Sequence, residues 1–377
     1  MQKEIAVISL KKLNPNTGGI GGTQAVVLWL LEALKSDYKI DFYSPDEPLQ
    51  LRKLNGLYGT NLSEGDFRQV RIQYSRLPKY LFLLERSLVL RRLRNVFRRT
   101  HYAAIISADK EIDLGRVALQ YFHHPVIDIY LKDDRRADIA HWVYRRLCAT
   151  VSGASWAGLR RNLSLTNSFY SARLLWERYG INARVVYPPV VTPAREVRPQ
   201  KERENIFVMV SRLSPEKRVE DAVEILRQVH DSVSSVRLIV IGPDDGSAYA
   251  HSLKRLFARY SWVSYLGRRN KEEIRDVLDT ARYLINTRQD EPFGMVVAEA
   301  LCSGVIPFVF NGGGQTEIVS DTRLTFVSSE DAVKKIKAVI GNETWQTELA
   351  QALLEKCEAF SSSAFSGTIR RIMKETV

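Results

Sequence analysis

The sequence has few of the features that mark secreted or membrane-embedded proteins. It contains only three cysteines, Cys148, Cys302 and Cys357, and they are widely separated. That spacing offers neither a disulfide framework nor a cysteine metal site, and it fits a reduced compartment. No apolar run reaches the roughly 18 residues that span a bilayer, and the N-terminus lacks a signal peptide's basic-then-apolar order. We therefore predict a cytoplasmic protein without disulfides.

Acidic residues are in deficit, and the deficit lies in the first half of the chain. The formal net charge is +12; residues 1–200 hold 31 Lys and Arg against 18 Asp and Glu, whereas residues 201–377 hold 24 against 25. Such asymmetry suggests a polyanionic partner, either a membrane surface or a nucleic acid. A chain of 377 residues also exceeds one ordinary core, so about two domains are expected.

The first half alternates between short apolar runs and helical patterns. Runs at 5–9, 40–43, 103–107 and 118–122 predict buried parallel strands, and a run at 185–190 predicts another that ends in prolines. A glycine-containing loop follows the first run and precedes a helical pattern, which is typical of a βαβ unit. Gly21 and Gly22 in this loop would let backbone approach a ligand, although a plain tight turn explains them equally.

Residues 191–204 separate this half from a second alternating array. They hold two prolines and seven charged residues with almost no apolar content, which indicates a linker. Strand and helix patterns then resume from residue 206. The sequence therefore predicts two doubly wound α/β domains, residues 1–190 and 205–358, that face each other across a cleft.

A basic segment lies within the first predicted domain. Six arginines and no acid occur between residues 86 and 99, interleaved with apolar residues. The arginines are Arg86, Arg91, Arg92, Arg94, Arg98 and Arg99. One interpretation is a helix on an anionic membrane, with arginines at the headgroups and apolar residues below them. The other is a surface helix that packs its apolar face on the domain. Nucleic-acid binding is not expected, because no nucleic-acid module pattern accompanies the charge.

Two carboxylates frame an apolar helical pattern at residues 290–304. Glu291 precedes the pattern, and Glu299 lies within it. The N-terminus of a helix has unpaired amides and the positive end of a dipole, so it favours an anion. The pattern indicates a diphosphate on these amides, with the two glutamates binding hydroxyl groups on either side.

These motifs together resemble the retaining glycosyltransferases of family 4, the group 1 glycosyl transferases. The resemblance rests on Arg212 with Lys217, on Glu291 with Glu299, and on the glycines of 312–314. It also includes motifs at 122–125, 166–168 and 187–190. It implies the GT-B fold, with an acceptor-binding first domain, a nucleotide-sugar-binding second domain, and a C-terminal helix at 359–377 that crosses back to the first.

The resemblance also implies roles for individual residues. Arg212 and Lys217 would hold the diphosphate, Glu291 the transferred sugar and Glu299 the ribose. His123 would lie near the anomeric carbon; His124 is interpreted as a structural histidine. The remaining donor-binding positions are Gly21, Gly22, Gly267, Phe293, Gly294, Met295 and Val296.

The implied reaction moves a hexose, with mannose favoured, from a GDP- or UDP-sugar to a lipid-linked or polysaccharide acceptor at the inner membrane face. It would retain the anomeric configuration and need neither a metal nor a cofactor. Two alternatives stay open. One is a sugar-nucleotide 2-epimerase of the same fold, which the paired glutamates and the arginine-rich segment disfavour. The other is a non-catalytic carbohydrate- or nucleic-acid-binding protein.

Overall fold

The computed structural model describes residues 2–13, 21–46, 48–75, 77–127, 139–191 and 196–377. Over these ranges the chain divides into two compact units, residues 1–189 together with 362–377, and residues 190–361. No helix within these ranges is both long enough and apolar enough to cross a membrane.

The first unit is built on a parallel sheet of seven strands in the order β3-β2-β1-β4-β5-β6-β7. The strands are β1 (Glu4–Ile8), β2 (Lys39–Ser44), β3 (Arg68–Arg71), β4 (Ala104–Ser107), β5 (Leu119–Phe122), β6 (Leu163–Thr166) and β7 (Ala183–Val185). The helices that precede the second unit are α1 (Gly22–Leu34), α2 (Leu51–Tyr58), α3 (Phe82–Arg99), α4 (Ile139–Ser152), α5 (Trp156–Arg161) and α6 (Phe169–Tyr179).

Both faces of this first sheet are covered, as its apolar strands require. Alternate residues of a strand point to opposite faces. Ile5 and Val7 of β1 therefore pack in a core with α1, whereas Ala6 and Ile8 pack in a second core with α3. Burial on both faces explains why β1 reads as a continuous apolar run rather than an alternating one.

The second unit repeats this plan with a parallel sheet of six strands in the order β10-β9-β8-β11-β12-β13. The strands are β8 (Glu204–Val210), β9 (Arg237–Ile241), β10 (Val263–Gly267), β11 (Ala281–Asn286), β12 (Ile306–Phe310) and β13 (Thr325–Phe326). The helices are α7 (Val219–His230), α8 (Ala248–Phe257), α9 (Lys271–Thr280), α10 (Met295–Cys302), α11 (Gln315–Val319), α12 (Ser329–Ile340) and α13 (Glu343–Leu354). The prediction of two doubly wound sheets is confirmed.

The last helix, α14 (Ser362–Thr376), belongs to the first unit although it follows the second in sequence. Its buried residues Phe365, Ile369, Ile372 and Met373 lie in the same apolar core as α1. Residues that alternate at three- and four-residue spacing form one face of a helix, so this face packs while the other stays polar.

Two segments differ from the prediction. The strand expected at 185–190 is instead Ala183–Val185, because the prolines at 188 and 189 have no N–H to donate to a strand ladder. Residues 191–204, expected to be a linker, are grouped with the second unit, which begins at Val190, and Arg203 among them is buried.

Candidate functional site

The carboxyl ends of β8 and β11 lie side by side where the strand order of the second sheet reverses. Open α/β sheets bind ligands just outside such a reversal point. The loop after β8 carries Arg212 and Lys217, and the loop after β11 carries Arg288 and Glu291. Adjacent strands therefore bring Lys217, one of the predicted cations, next to Glu291, one of the predicted carboxylates.

Lys217 and Glu291 form an ion pair at this point of the second sheet. Lys217 Nζ lies 2.7 Å from Glu291 Oε2, and the two side chains are only 18% and 14% exposed. Arg288 Nη1 lies 3.5 Å from the same carboxylate oxygen. Water and salt screen such half-buried charges less than exposed ones. Arg288 Nε also lies 3.3 Å from Oδ1 of Asp290, whose side chain is 73% exposed, so an anionic ligand can replace that exposed carboxylate.

The glycine loop after β12 holds the backbone of Glu291. Glu291 and Gly313 form an isolated parallel bridge, and the Gly314 N–H donates to the Glu291 carbonyl at 2.8 Å. Gly313 has a φ of 110°, and a Cβ at this position would lie 2.4 Å from the Glu291 carbonyl oxygen. Only glycine fits this close approach, so the glycine loop fixes the position of the carboxylate.

Thr287 ties the loop that carries Lys217 to the end of β11. Its Oγ1 lies 3.0 Å from the carbonyl of Lys217 and 2.8 Å from that of Arg218, and the residue is 2% exposed. The hydroxyl can donate to either carbonyl. Thr287 therefore helps to set the distance between Lys217 and Glu291.

Gln315, the first residue of α11, binds the backbone next to the ion pair of Lys217 and Glu291. It is fully buried, and its Nε2 donates to the carbonyls of Arg288 at 2.8 Å and Phe310 at 2.9 Å. Its Oε1 has no hydrogen-bond partner among the described residues. The sequence did not indicate Thr287 or Gln315, because their partners are backbone carbonyls. Arg288 had a usable signal, since it closely follows a buried strand and precedes Glu291.

Helix α10 begins next to this ion pair. Gly294 precedes it with a φ of 104°, and the Val297 N–H donates to the Gly294 carbonyl at 2.9 Å. The first amides of a helix lack partners within it, so those of Met295 and Val296 suit an anion. Phe293 is 2% exposed and packs edge-to-face on Phe360, with 5.8 Å between ring centroids. This packing anchors the start of the helix.

Glu299 lies about one turn inside α10 rather than beside Glu291. Its Oε1 is 3.9 Å from Lys271 Nζ at the start of α9. A shallow pocket on the second unit has Glu299 in its wall. The lining residues are Val191, Lys271, Ile274, Arg275, Leu278, Glu299 and Ser303. Glu291 and Glu299 thus have different neighbours, as two separate binding roles require.

Two other predicted positions of the second unit lie apart from the ion pair. Arg212 is 67% exposed and pairs with Glu216 at 2.9 Å. An exposed pair of this kind is worth roughly 0–1 kcal/mol, so a phosphate could replace Glu216 at little cost. Gly267 ends β10 with a φ of 69°, and a Cβ there would meet no atom within 4 Å.

In the first unit, His123 directly follows β5, as predicted. Its Nε2 lies 2.9 Å from the Ala108 carbonyl, and its own carbonyl accepts from Asn167 Nδ2 at 2.9 Å. Because a carbonyl can only accept, Nε2 carries the proton and Nδ1 is left as an acceptor. Burial lowers the pKa of His123 to about 3, with smaller contributions from Lys11, His124 and Lys110. The imidazole is therefore neutral at physiological pH.

The predicted glycine loop of the first unit is only partly described. Gly21 is exposed and precedes α1, and Gly22 is the first residue of that helix. The Gly21 N–H donates to Gln24 Oε1 at 3.1 Å. The preceding glycines of this loop lie outside the described residues.

Comparison with known proteins accounts for this arrangement. Residues 191–360, nearly all of the second unit, match the family model described as glycosyl transferases group 1. The chain carries a group 1 glycosyltransferase domain. The resemblance drawn from Arg212, Lys217, Glu291 and Glu299 is thereby confirmed at the level of the group.

Similar proteins agree with this family. The chain is 26% identical over 223 residues to a GDP-Man:Man(3)GlcNAc(2)-PP-Dol alpha-1,2-mannosyltransferase of Yarrowia lipolytica; the match covers 52% of this chain and 35% of that relative. The chain therefore spans only about a third of that relative's length. Among solved structures, Anabaena HepE in complex with UDP and glucose has a TM-score of 0.67 at 16% identity, over 99% of this chain and 100% of that one. Sucrose-phosphate synthase from Thermosynechococcus elongatus has a TM-score of 0.71 at 16% identity, over 99% of both chains. The fold of the chain is GT-B.

The arginine-rich segment of the first unit is helix α3, and its inner face is buried. Val89, Leu90, Leu93 and Phe97 lie in the core against the first sheet. The packing interpretation therefore describes the apolar face of this helix, and the prediction that these residues dip into a membrane is wrong.

Two of the six arginines are structural. Arg86 is 3% exposed, and its Nη2 donates to Glu111 at 3.2 Å, so its assignment to a membrane surface is a second error. Arg94 is largely buried and donates to the Gly153 carbonyl. The exposed arginines of α3 are Arg91, Arg92, Arg98 and Arg99.

The cysteines also correct a prediction. Cys302, at the end of α10, is joined by a disulfide to Cys357, 55 residues later, whereas the spacing of the cysteines had indicated none. The two residues are distant in sequence, so no spacing rule could reveal that α10 and the segment before α14 meet. Cys148 is free and buried. Among the described residues, no group of three His, Cys, Asp or Glu side chains could hold a metal ion.

Proposed function

We propose that this protein is a retaining glycosyltransferase that moves a hexose from a nucleoside diphosphate sugar to a lipid-linked or polysaccharide acceptor. The observation that carries the proposal is the pair of Lys217 and Glu291, 2.7 Å apart at the strand reversal of a group 1 glycosyltransferase domain. Such a transfer needs a cation for the leaving group and a carboxylate for the sugar hydroxyls, close to each other in one site.

The cations of the second unit suit a leaving diphosphate. As the bond from the anomeric carbon to the phosphate oxygen breaks, its electron pair passes to that oxygen. Fixed positive groups aimed at this oxygen stabilise the transition state more than the substrate. Lys217, Arg288 and the first amides of α10 are available for this, and Arg212 can join by leaving Glu216. We therefore assign charge neutralisation to the protein and none of it to a metal ion.

The acceptor's oxygen then bonds to the anomeric carbon on the face that the phosphate leaves. The acceptor's proton goes to the departing phosphate oxygen, so the step needs no separate nucleophile or general base. Glu291 holds hydroxyl groups of the transferred sugar, and Glu299 holds the ribose. Neutral His123 contributes Nδ1 as a hydrogen-bond acceptor for a sugar hydroxyl near the reacting carbon.

Mannose is the favoured sugar, with GDP as its carrier. The Yarrowia relative is named for transfer from GDP-mannose to a dolichol-linked oligosaccharide, whereas Anabaena HepE was solved with UDP and glucose. The motifs at 122–125 and 187–190 also resemble the mannosyltransferase branch.

A membrane face is the proposed location of the acceptor. Helix α4 of the first unit exposes Trp142, Val143 and Leu147, and Arg146 lies over the Trp142 ring at 5.1 Å. These residues recur at helical spacing, so they share one outward face. An exposed apolar face with arginines beside it suits the interface of an anionic bilayer. In this proposal α4 replaces the inner face of α3 as the apolar part of the membrane surface.

A donor screen tests the proposed function. The purified protein is incubated with GDP-mannose, UDP-glucose and UDP-N-acetylglucosamine, each with and without a polyprenyl diphosphate-linked oligosaccharide and each with and without EDTA. Mass spectrometry then detects released nucleotide and lengthened acceptor. We expect one donor to release nucleoside diphosphate and add one hexose, with the anomeric configuration retained by NMR.

The same screen separates the alternatives. An epimerised donor without a lengthened acceptor would indicate the 2-epimerase, and no change in any donor would indicate a binding protein. Transfer that stops on addition of EDTA would contradict the metal-independent mechanism while leaving the transfer itself intact.

A further inference from the structure

Two lysines follow neighbouring strands at the point where the strand order of the first sheet reverses. Lys11 follows β1, Lys110 follows β4, and the order β2-β1-β4-β5 places these strands side by side. This is the edge at which an open α/β sheet binds ligands. His123 follows the next strand, β5. Besides burial, both lysines lower the pKa of His123, so their ammonium groups lie near the imidazole.

Asp109 locks the two lysine-bearing loops together. Its carboxylate accepts hydrogen bonds from Ser9 Oγ at 2.9 Å, the Leu10 N–H at 3.1 Å and the Lys11 N–H at 2.8 Å. Asp109 is 3% exposed and immediately precedes Lys110. The backbones at Lys11 and Lys110 are therefore held next to each other before any ligand binds.

The charges of the two lysines are not locally paired. Within the described part of the chain, Lys110 Nζ has no hydrogen bond or ion pair, and Lys11 Nζ reaches only the neutral Thr23 Oγ1, at 3.5 Å. Glu111, whose charge acts on Lys110, is itself bound to Arg86.

At the equivalent place in the second unit, the lysine is paired with a carboxylate. Lys217 there follows the strand next to the reversal, and a carboxylate lies 2.7 Å from its ammonium. Lys110 is partly buried, and burial lowers its pKa; Arg86 and Lys11 act in the same direction, whereas Glu111 and Asp109 act against it. A half-buried cation without a partner is costly, and an anion that binds there recovers that cost.

We propose that Lys11 and Lys110 bind a phosphate group of the acceptor at the carboxyl edge of β1 and β4. Two ammonium groups on a rigid edge can contact two oxygens of one tetrahedral anion. A lipid phosphate or a lipid diphosphate, the group that links a glycan to its carrier, has this chemistry. That the phosphate belongs to the acceptor rests on the function proposed above; the phosphate site itself does not.

Calorimetric titration with inorganic pyrophosphate tests the site. The full chain carrying Lys217→Ala serves as the background, so that the second unit contributes less. We expect Lys11→Gln with Lys110→Gln to weaken pyrophosphate binding by at least about tenfold, since charge-assisted hydrogen bonds are lost. Lys12→Gln is the matched control, because Lys12 is the exposed neighbour of Lys11. Equal affinity in the double variant, or an equal loss in the control, would overturn the site.

Competition experiments show whether the phosphate bound at this site belongs to the acceptor or to the donor. In the same background, decyl phosphate should displace pyrophosphate and decanol should not. Displacement by GDP or UDP but not by decyl phosphate would assign the site to the donor and overturn the acceptor proposal. A protein that binds decyl phosphate here but fails the donor screen would contradict the proposed function and keep the site, so the two failures are distinguishable.

Discussion

At the scale of single residues, the first-unit part of the proposal depends on a histidine that is kept neutral. His123 is buried, donates to the Ala108 carbonyl and packs against the ring of Tyr121 at 4.8 Å. Protonation would place a charge in an apolar environment beside Lys11 and Lys110, and Nδ1 would no longer accept. The lowered pKa makes this imidazole a weak base, which suits a positioning role better than general-base catalysis.

The lowered pKa makes folding pH-dependent. In the unfolded chain the histidine has its ordinary pKa near 6.5, so the unfolded state binds more protons between pH 6.5 and about 3. Stability is complete above pH 6.5 and falls as the pH drops. We expect the free energy of unfolding to fall by about 2 kcal/mol from pH 8 to pH 5 because of this residue.

Urea unfolding at both pH values measures the effect. His123→Phe should remove this part of the pH dependence, because it keeps an aromatic ring and loses the titrating group. His251→Gln is the control, since His251 is exposed. The same pH dependence in wild type and His123→Phe would mean that the buried imidazole is not the cause.

Residues whose chemistry depends on their own side chain could be predicted from sequence, and supporting residues could not. The sequence indicates Lys217 and Glu291 because each is a charged residue after a buried strand. Thr287 and Gln315 hold the same site through backbone carbonyls of residues far along the chain, so no local pattern marks them. Arg86 was misassigned because its partner, Glu111, lies 25 residues away.

At the scale of secondary-structure elements, Arg203 holds two helices of the second unit. Its Nη1 donates to the carbonyls of Leu278 and Ala281 at 2.8 Å, and its Nη2 donates to that of Ser303. These carbonyls lie at the ends of α9 and α10, where the helix dipole favours a cation. Burial lowers the pKa of Arg203 to about 10, which leaves it charged at neutral pH.

Removing this arginine should loosen the helix that carries Glu299. Arg203→Ala leaves three buried carbonyls without donors, and we expect a loss of roughly 2–4 kcal/mol in the free energy of unfolding. Lys201→Ala should cost less than about 0.5 kcal/mol because Lys201 is exposed. Chemical denaturation of both variants checks this; similar stabilities would show that Arg203 is replaceable by water.

Long buried strands and amphipathic helices could be predicted from the sequence, and short edge strands could not. β8 and β11 are strands of seven and six residues whose centres are the apolar runs 206–210 and 283–285. By contrast, β3 reads Arg-Gln-Val-Arg, and β13 has only two residues. Both lie at the edges of their sheets, where one side needs no pairing and burial imposes no apolar pattern.

At the scale of the whole molecule, the excess positive charge of the first half has two structural uses. Part of it is internal, as at Arg86, and part lies on exposed surface at Arg91, Arg92, Arg98 and Arg99. The outward face of α4 adds exposed apolar side chains to the same unit. Composition could indicate an anionic partner, but the division between internal and exposed arginines depends on tertiary packing.

Vesicle binding tests whether the exposed arginines of α3 and the outward face of α4 bind a membrane. Replacing Arg91, Arg92, Arg98 and Arg99 with Ser should weaken binding to vesicles of phosphatidylglycerol and phosphatidylcholine, by roughly 1 kcal/mol for each arginine at the surface. Added salt should have the same effect on the wild type. Replacing Trp142 and Leu147 with Ser should weaken binding in a way that salt does not reproduce.

Vesicles of phosphatidylcholine alone are the control. Vesicle binding that is unchanged by both sets of substitutions and by the salt concentration would show that neither α3 nor α4 binds a membrane. The sugar transfer itself would be unaffected by that result, since it depends on the second unit's ion pair.

The most direct test of the central claim is Lys217→Ala, assayed for sugar transfer and for binding of the nucleoside diphosphate. If Lys217 stabilises the leaving diphosphate, turnover should fall by about 10² to 10³, and affinity for the nucleotide should fall much less. Lys254→Ala, the same change at an ion pair elsewhere in the unit, should leave turnover unchanged. Unchanged turnover in Lys217→Ala, or a loss of affinity as large as the loss of rate, would contradict the account.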